Sequence, residues 1–240
     1  MTLSTACTGS ETASKVRTVR VSAAASLTEA FTELAEGYEA AHPGLRIETN
    51  FGASSALAQQ VNVGAPVDVL ATADEVSMKG VTDTGNAAVP TIFARNRLAL
   101  LVARGNPKVI TGLADLARPG VVFVSCAPEV PCGRLAVAAL GKGGAKARPA
   151  SLEENVKGVV SKVTLGEADA GIVYATDLKA VGDRAEGMEM DFGGDPALAA
   201  VYQIAVTRQA GDVEAARGWV DFVLSEAGRQ ALARFGFLPS

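Results

Sequence analysis

Hydrophobic positions change their period several times along this chain, and each change marks an element. Residues 16–24 alternate, with β-branched Val16, Thr18, Val19 and Val21, and predict a first strand. Leu27, Phe31, Leu34 and Tyr38 then recur at helical spacing over 27–41, until Pro43-Gly44 ends the helix. Leu45, Ile47 and Thr49 alternate as a second strand that runs into Phe51-Gly52. Residues 54–62 predict a helix closed by Gly64-Ala65-Pro66, and 67–71 a short buried strand. Asp74 is placed to cap a third helix reaching Gly80 or beyond.

The character shifts at 92–97, where Arg95, Asn96 and Arg97 interrupt the apolar run. A long apolar strand follows at 98–103, then an Asn106-Pro107 turn, a short helix at 113–116 and a strand at 121–125. Helices are predicted at 133–141 and 155–166, with a loop at 143–149 between them, and a strand at 170–174. A glycine-rich polar loop at 191–197 leads to a strand at 201–206. Val213, Ala216, Val220 and Val223 mark another helix, and a last one precedes Phe235-Gly236-Phe237. Repeated strand–helix alternation predicts an α/β fold with a largely parallel sheet. No Pro/Ser linker divides the chain. Two α/β halves joined by strands near Ala94 and Tyr202, with the C-terminal helices returning to the first half, fit the pattern.

Length and charge narrow the function. The 240 residues suit one large domain or two of about 100 residues each. A net charge of −4 disfavours a nucleic-acid partner. No run of about 18 apolar residues is present to span a bilayer. His42, the single histidine, sits at a helix end, so a Ser-His-Asp hydrolase or a histidine-rich metal site is disfavoured. Residues 1–15 read as a small, polar, disordered tail. Cys7, preceded by small residues, resembles the end of a bacterial lipoprotein signal, although the charged and apolar parts are missing. The expectation is a start further upstream and a lipidated Cys7. The alternative is a leftover tail with an incidental cysteine.

Two serines carry the first chemical signal. Ser26 in Ala23-Ala24-Ala25-Ser26-Leu27 and Ser54 in Gly52-Ala53-Ser54-Ser55 each follow a strand and open a helix. Such a corner offers a hydroxyl and the free N–H groups of a first helical turn to one point. Two facing corners can hold an anion without lysine or arginine. Both lie at the carboxyl ends of strands, where open α/β sheets bind ligands. Asp68, in Val67-Asp68-Val69, is expected to be structural, bonded to backbone near the cleft.

With Pro66-Val67-Asp68-Val69, Pro131-Cys132-Gly133 and Gly171-Ile172-Val173-Tyr174, these motifs stand in an order and spacing that resembles the molybdate-binding proteins of ABC transporters. The resemblance covers about residues 16–240. It implies a two-lobed type II periplasmic-binding-protein fold, with molybdate or tungstate in the cleft between the lobes. The lobes are expected at 16–94 plus 203–240 and at 95–202. Carried over by motif, the ligands are Ser26, Ser54, Cys132 (usually alanine in the family), Val156 and the Tyr174 hydroxyl. No residue is expected to bind a metal cation directly, because the molybdenum is bound as an oxyanion.

Physical chemistry agrees with that set. Ser26, Ser54, Cys132 and Val156 open helices, and each N-terminus carries on the order of +0.5 charge, so four offset about two negative charges. A pocket of donors alone favours a fully deprotonated oxyanion. In an exported protein, Cys126 and Cys132 are close enough to suggest a disulfide that fixes the Cys132 N–H; two reduced, buried thiols are the alternative. The expected protein is a monomeric, extracytoplasmic binding protein, neither an enzyme nor cofactor-dependent, that serves a membrane permease. Sulfate or phosphate could replace molybdate on the same fold. A cytosolic anion sensor or enzyme on that fold lacks support from any DNA-binding segment or acid–base pair.

Overall fold

The structure, a computed structural model, describes residues 16–240. Cys7 lies outside the described residues. The strands are β1 (Arg17–Ala24), β2 (Leu45–Gly52), β3 (Val69–Thr72), β4 (Thr91–Ala103), β5 (Phe123–Cys126), β6 (Ser151–Glu153), β7 (Ala170–Tyr174), β8 (Ala185–Glu189) and β9 (Ala199–Val206). Around them pack α1 (Thr28–Ala41), α2 (Ser54–Asn62), α3 (Glu75–Thr82), α4 (Pro131–Lys142), α5 (Val156–Thr164), α6 (Ala175–Val181), α7 (Val213–Leu224) and α8 (Glu226–Arg234).

The sheet order is β2-β1-β3-β9-β4-β7-β5-β6, with β8 also paired to β4. It contains two parallel trios, β2-β1-β3 and β7-β5-β6. Antiparallel β9 and β4 join them, with Ala94 opposite Tyr202. Strands within each trio stop nearly level: Ala24 pairs with Gly52, and Cys126 with Glu153. Each trio therefore ends its strands along one line, and a helix starts just beyond each end.

The main core runs through both halves of the sheet, and on the first trio it is covered by α1, α7 and α8. Helix α1 buries Ala30, Phe31, Leu34, Ala35 and Tyr38, the stripe that its sequence spacing predicts. Phe31 meets Trp219 of α7 edge to face at 5.8 Å between ring centroids. Burying each such ring contributes about 2–3 kcal/mol. The C-terminal helices thus return to the first half of the sheet. His42 ends α1, its Nδ1 2.8 Å from the Tyr38 carbonyl oxygen.

Several elements depart from the sequence pattern. β4 begins at Thr91, seven residues before the apolar run, because Arg95 and Asn96 pair with β9 although neither is apolar. Asn96 is fully buried there, with its amide nitrogen donating to Thr176 Oγ1 at 2.9 Å. α4 starts at Pro131 rather than Gly133, since proline lacks the N–H that a first helical residue leaves unpaired anyway. β6, α6 and β8 have no counterpart among the predicted elements.

Candidate functional site

The carboxyl ends of all six parallel strands meet at one cavity. After β1 it is lined by Ala24, Ala25 and Ser26, after β2 by Gly52, Ala53 and Ser54, and after β3 by Ala73. From the other trio come Val130, Pro131 and Cys132 after β5, Asn155 and Val156 after β6, and Tyr174 at the end of β7. The cavity measures about 20 Å³ as space open to the centre of a water-sized sphere. All five residues singled out in the sequence line it, and none of the lining residues is charged.

The two serines are alike in their bonding. Ser54 is the first residue of α2, whose preceding residue Ala53 supplies no side-chain cap. Its Oγ instead accepts the Ala73 N–H at 3.0 Å. Ser26 lies in a 3₁₀ turn, Ala25–Leu27, that is likewise uncapped. Its Oγ is 2.8 Å from the Tyr202 hydroxyl. Neither serine caps its own helix, so the first-turn N–H groups of both corners stay available to the cavity. Helices α7 and α8, which start elsewhere, carry Asp212 and Ser225 caps.

Residues of the second trio complete the ring. Cys132 is the second residue of α4, whose start has no side-chain cap. Asn155 Oδ1 accepts the Lys157 and Gly158 N–H groups at 3.0 and 3.3 Å, which leaves the Val156 N–H without that partner. The Tyr174 hydroxyl is buried without a hydrogen-bond partner among the described residues. Its backbone N–H is used, donating to Asp177 Oδ2 at 3.1 Å. Burial above all, then the nearby Tyr202, Asp74 and Asp177, pushes the Tyr174 phenol well above its ordinary pKa, so it keeps its hydrogen and acts as a donor.

Cys126 and Cys132 are bonded in the structure, with Cα atoms 5.7 Å apart. The bridge ties the end of β5 to the first turn of α4. A ring closed over a sequence separation of 6 contributes about 2 kcal/mol in the loop-entropy account. Reduction is therefore expected to lower the unfolding free energy by about that amount, read from urea unfolding of oxidised and reduced protein. Iodoacetamide labelling of both cysteines in unfolded, unreduced protein would exclude the bridge.

Charge stands one layer back and is paired. Arg134 Nε donates to Asp74 Oδ2 at 2.8 Å, linking α4 to the start of α3. Lys157 Nζ lies 2.8 Å from Glu29 of α1 and 3.0 Å from Asp177 of α6. Burial would lower the Lys157 pKa, but the Asp177 and Glu29 carboxylates outweigh it and the net shift is upward. Both cations join residues after the first trio to residues after the second, and each is neutralised before it reaches the cavity.

Sequence reasoning missed Tyr202, Asn96, Thr176, Ala73 and these ion pairs. Asp74, expected as a helix cap, and Asn155, an asparagine opening a predicted helix, carried a usable signal, and both cap their helices. Asp68 corrects one expectation. It does bond backbone, accepting from Arg20 N at 2.7 Å and Gly211 N at 2.8 Å. It does so at the start of β3, however, the end away from the cavity, because there it satisfies the N–H groups of Arg20 within β1 and of Gly211 beyond β9.

Among the described residues no helix is long and apolar enough to cross a membrane, and no group of three or more His, Cys, Asp or Glu is arranged to hold a metal ion.

Comparison with known proteins gives a consistent result. The chain is 40% identical over 222 residues to the molybdate-binding protein ModA of Mycobacterium tuberculosis H37Rv, covering 92% of this chain and 84% of that one. The periplasmic molybdate-binding protein of Azotobacter vinelandii shares the fold, with a TM-score of 0.79, 20% identity and coverage of 92% and 99%. The sulfate-binding protein SubI of Mycobacterium tuberculosis shares it too, with a TM-score of 0.79, 18% identity and coverage of 93% and 87%. The fold is thus the α/β type II fold of periplasmic binding proteins. A family model described as bacterial extracellular solute-binding protein matches residues 19–238, and the chain belongs to that family.

Proposed function

We propose that this chain binds molybdate, and tungstate in the same way, and delivers it to the permease of an ABC transporter. The observation that carries the reading is the Tyr174 hydroxyl, buried in the cavity wall with no partner among the described residues. A buried unpaired donor costs about 1–3 kcal/mol, and an anion in the cavity would recover that. The ligand set is Ser26, Ser54, Cys132, Val156 and Tyr174. Serine and tyrosine hydroxyls and first-turn N–H groups are all donors, which suits a tetrahedral dianion that carries no proton. Relatives named for molybdate binding support the choice of ligand.

Residues 16–94 plus 203–240 act as one lobe and 95–202 as the other, closing on the anion with β4 and β9 as the connection. The protein works outside the cytoplasm as a monomer, needs no cofactor and no nucleic acid, and is anchored through Cys7 if the upstream segment supplies a lipoprotein signal. Size rather than charge separates molybdate from the smaller sulfate.

Isothermal titration with molybdate, tungstate and sulfate tests the reading. Tight binding of the first two and weak binding of sulfate is expected. A preference for sulfate would move the function to another oxyanion, and binding of none would overturn it. Ser26→Ala and Ser54→Ala are each expected to weaken molybdate binding about tenfold, the loss of one charge-assisted hydrogen bond. Backbone N–H groups at the same corners limit the loss. If neither change alters the titration, the ligand set is wrong.

A further inference from the structure

Behind Ser26 lies a buried polar chain that no ligand assignment uses. Asn96 of β4 has its amide oxygen fixed by the Arg97 N–H at 2.9 Å, so its nitrogen faces the other way. That nitrogen donates to Thr176 Oγ1 at 2.9 Å and to the Tyr202 hydroxyl oxygen at 3.5 Å. Tyr202, on β9, is 2.8 Å from Ser26 Oγ. Ser26, Asn96, Thr176 and Tyr202 are all at most 6% exposed.

The chain has a direction. An amide N–H can only donate, so Asn96 fills an acceptor position on the Tyr202 oxygen. Burial above all raises the Tyr202 pKa, so the phenol keeps its hydrogen. The Asn96 nitrogen cannot accept that hydrogen, so Tyr202 directs it to Ser26 Oγ, 2.8 Å away. Ser26 then accepts from Tyr202 on one lone pair, and its own hydrogen is left for the cavity. Ser54 reaches the same state by accepting the Ala73 N–H.

We infer that Tyr202 and Asn96 are positioning residues that hold Ser26 as a donor, and that they set the preference for oxyanions carrying no proton. The inference rests on the oxyanion-binding reading above and adds the residues that enforce its selectivity. A protonated oxyanion needs an acceptor in the wall. With Tyr202 holding one of its lone pairs, Ser26 could supply one only by turning its own hydrogen away from the anion.

The test titrates the parent chain, Tyr202→Phe, Ser26→Ala and the double variant with molybdate and with phosphate in mildly alkaline buffer. There molybdate carries no proton and phosphate carries one. Tyr202→Phe is expected to weaken molybdate binding about fivefold and to narrow the molybdate-over-phosphate ratio, the gain of an acceptor at Ser26. In the Ser26→Ala background the same change should add less than about twofold, because Tyr202 acts through Ser26. A merely structural Tyr202 would instead weaken both backgrounds alike.

Thermal melts establish that each variant is folded. Should Tyr202→Phe fail to fold, near-isosteric Asn96→Asp takes its place. Its oxygen accepts the Tyr202 hydrogen and reverses the chain; the added charge repels both dianions alike, so the readout is the molybdate-over-phosphate ratio, which should narrow. Unchanged binding and ratio in the folded variant, or losses that simply multiply with Ser26→Ala, overturn the inference while leaving the functional reading intact. A parent chain that binds neither anion overturns both.

Discussion

Tyr174→Phe is expected to leave the ligand-free protein as stable as the parent or more so, and to weaken molybdate binding about thirtyfold. The two signs come from one atom. The Tyr174 hydroxyl is buried against the cavity with no partner among the described residues. Removing a buried polar group that makes no hydrogen bond relieves a desolvation cost of about 1–3 kcal/mol. The ring itself remains, packed against Tyr202 at 6.4 Å between centroids.

Binding loses more than at either serine. Hydrogen bonds to a charged partner contribute about 1.5–3 kcal/mol, a factor of about 10–100 in affinity. A serine corner retains its first-turn N–H groups after the hydroxyl is gone. Tyr174 has nothing in reserve, because its N–H is committed to Asp177. Urea unfolding of the free protein and titration with molybdate give the two readouts. A variant that loses stability and affinity together would make Tyr174 an ordinary core residue.

The parts of this molecule that are local were legible in the sequence. β7 and α2 fall at the predicted bounds, since β7 is a short apolar run and the helical stripe of α2 is closed by Gly64-Ala65-Pro66. The serine corners were legible because strand, small residues and helix follow one another within a few positions. Short or unpunctuated elements were not. β6 is three residues, Ser151–Glu153, too few to display a period. α6 starts at Ala175, straight after β7, so that Tyr174 ends a strand and precedes a helix with no turn residue between. β8, Ala185-Glu186-Gly187-Met188-Glu189, shows no apolar run because it is a mostly exposed strand paired with β4.

Partnerships across the chain left no trace at all. Ser26 and Tyr202 stand 176 positions apart, and Arg134 and Asp74 60. Neither pair shares a periodicity or a motif. Only the closing of the sheet through β4 and β9 brings them together. The candidate ligands could therefore be named residue by residue, while the groups that orient and neutralise them could not.

Gly133→Ala tests the tightest packing next to the cavity, and it is expected to lower stability by about 3 kcal/mol, as overpacking against a rigid wall does. A Cβ at Gly133 would lie 1.8 Å from the Ala127 carbonyl oxygen, 2.5 Å from its carbon and 2.9 Å from the Cys126 oxygen. These are backbone atoms and cannot rotate aside. The Ala127 N–H is bonded to the Glu153 oxygen at 2.9 Å, and Cys126 is tied to Cys132. The start of α4 must give instead, which withdraws the Cys132 N–H from the cavity and pulls Arg134 from Asp74. Molybdate affinity should fall more than tenfold along with stability, through that displacement rather than through any lost ligand atom. Gly141→Ala is the control in the same helix. Nothing lies within 4 Å of its Cβ position, so the helix should gain about 0.5–1 kcal/mol. Urea unfolding reads both, and opposite signs at two glycines eight residues apart in α4 are the expected result. A Gly133→Ala protein as stable as the parent would mean that the segment after β5 yields, and that the first turn of α4 is not held where the cavity needs it.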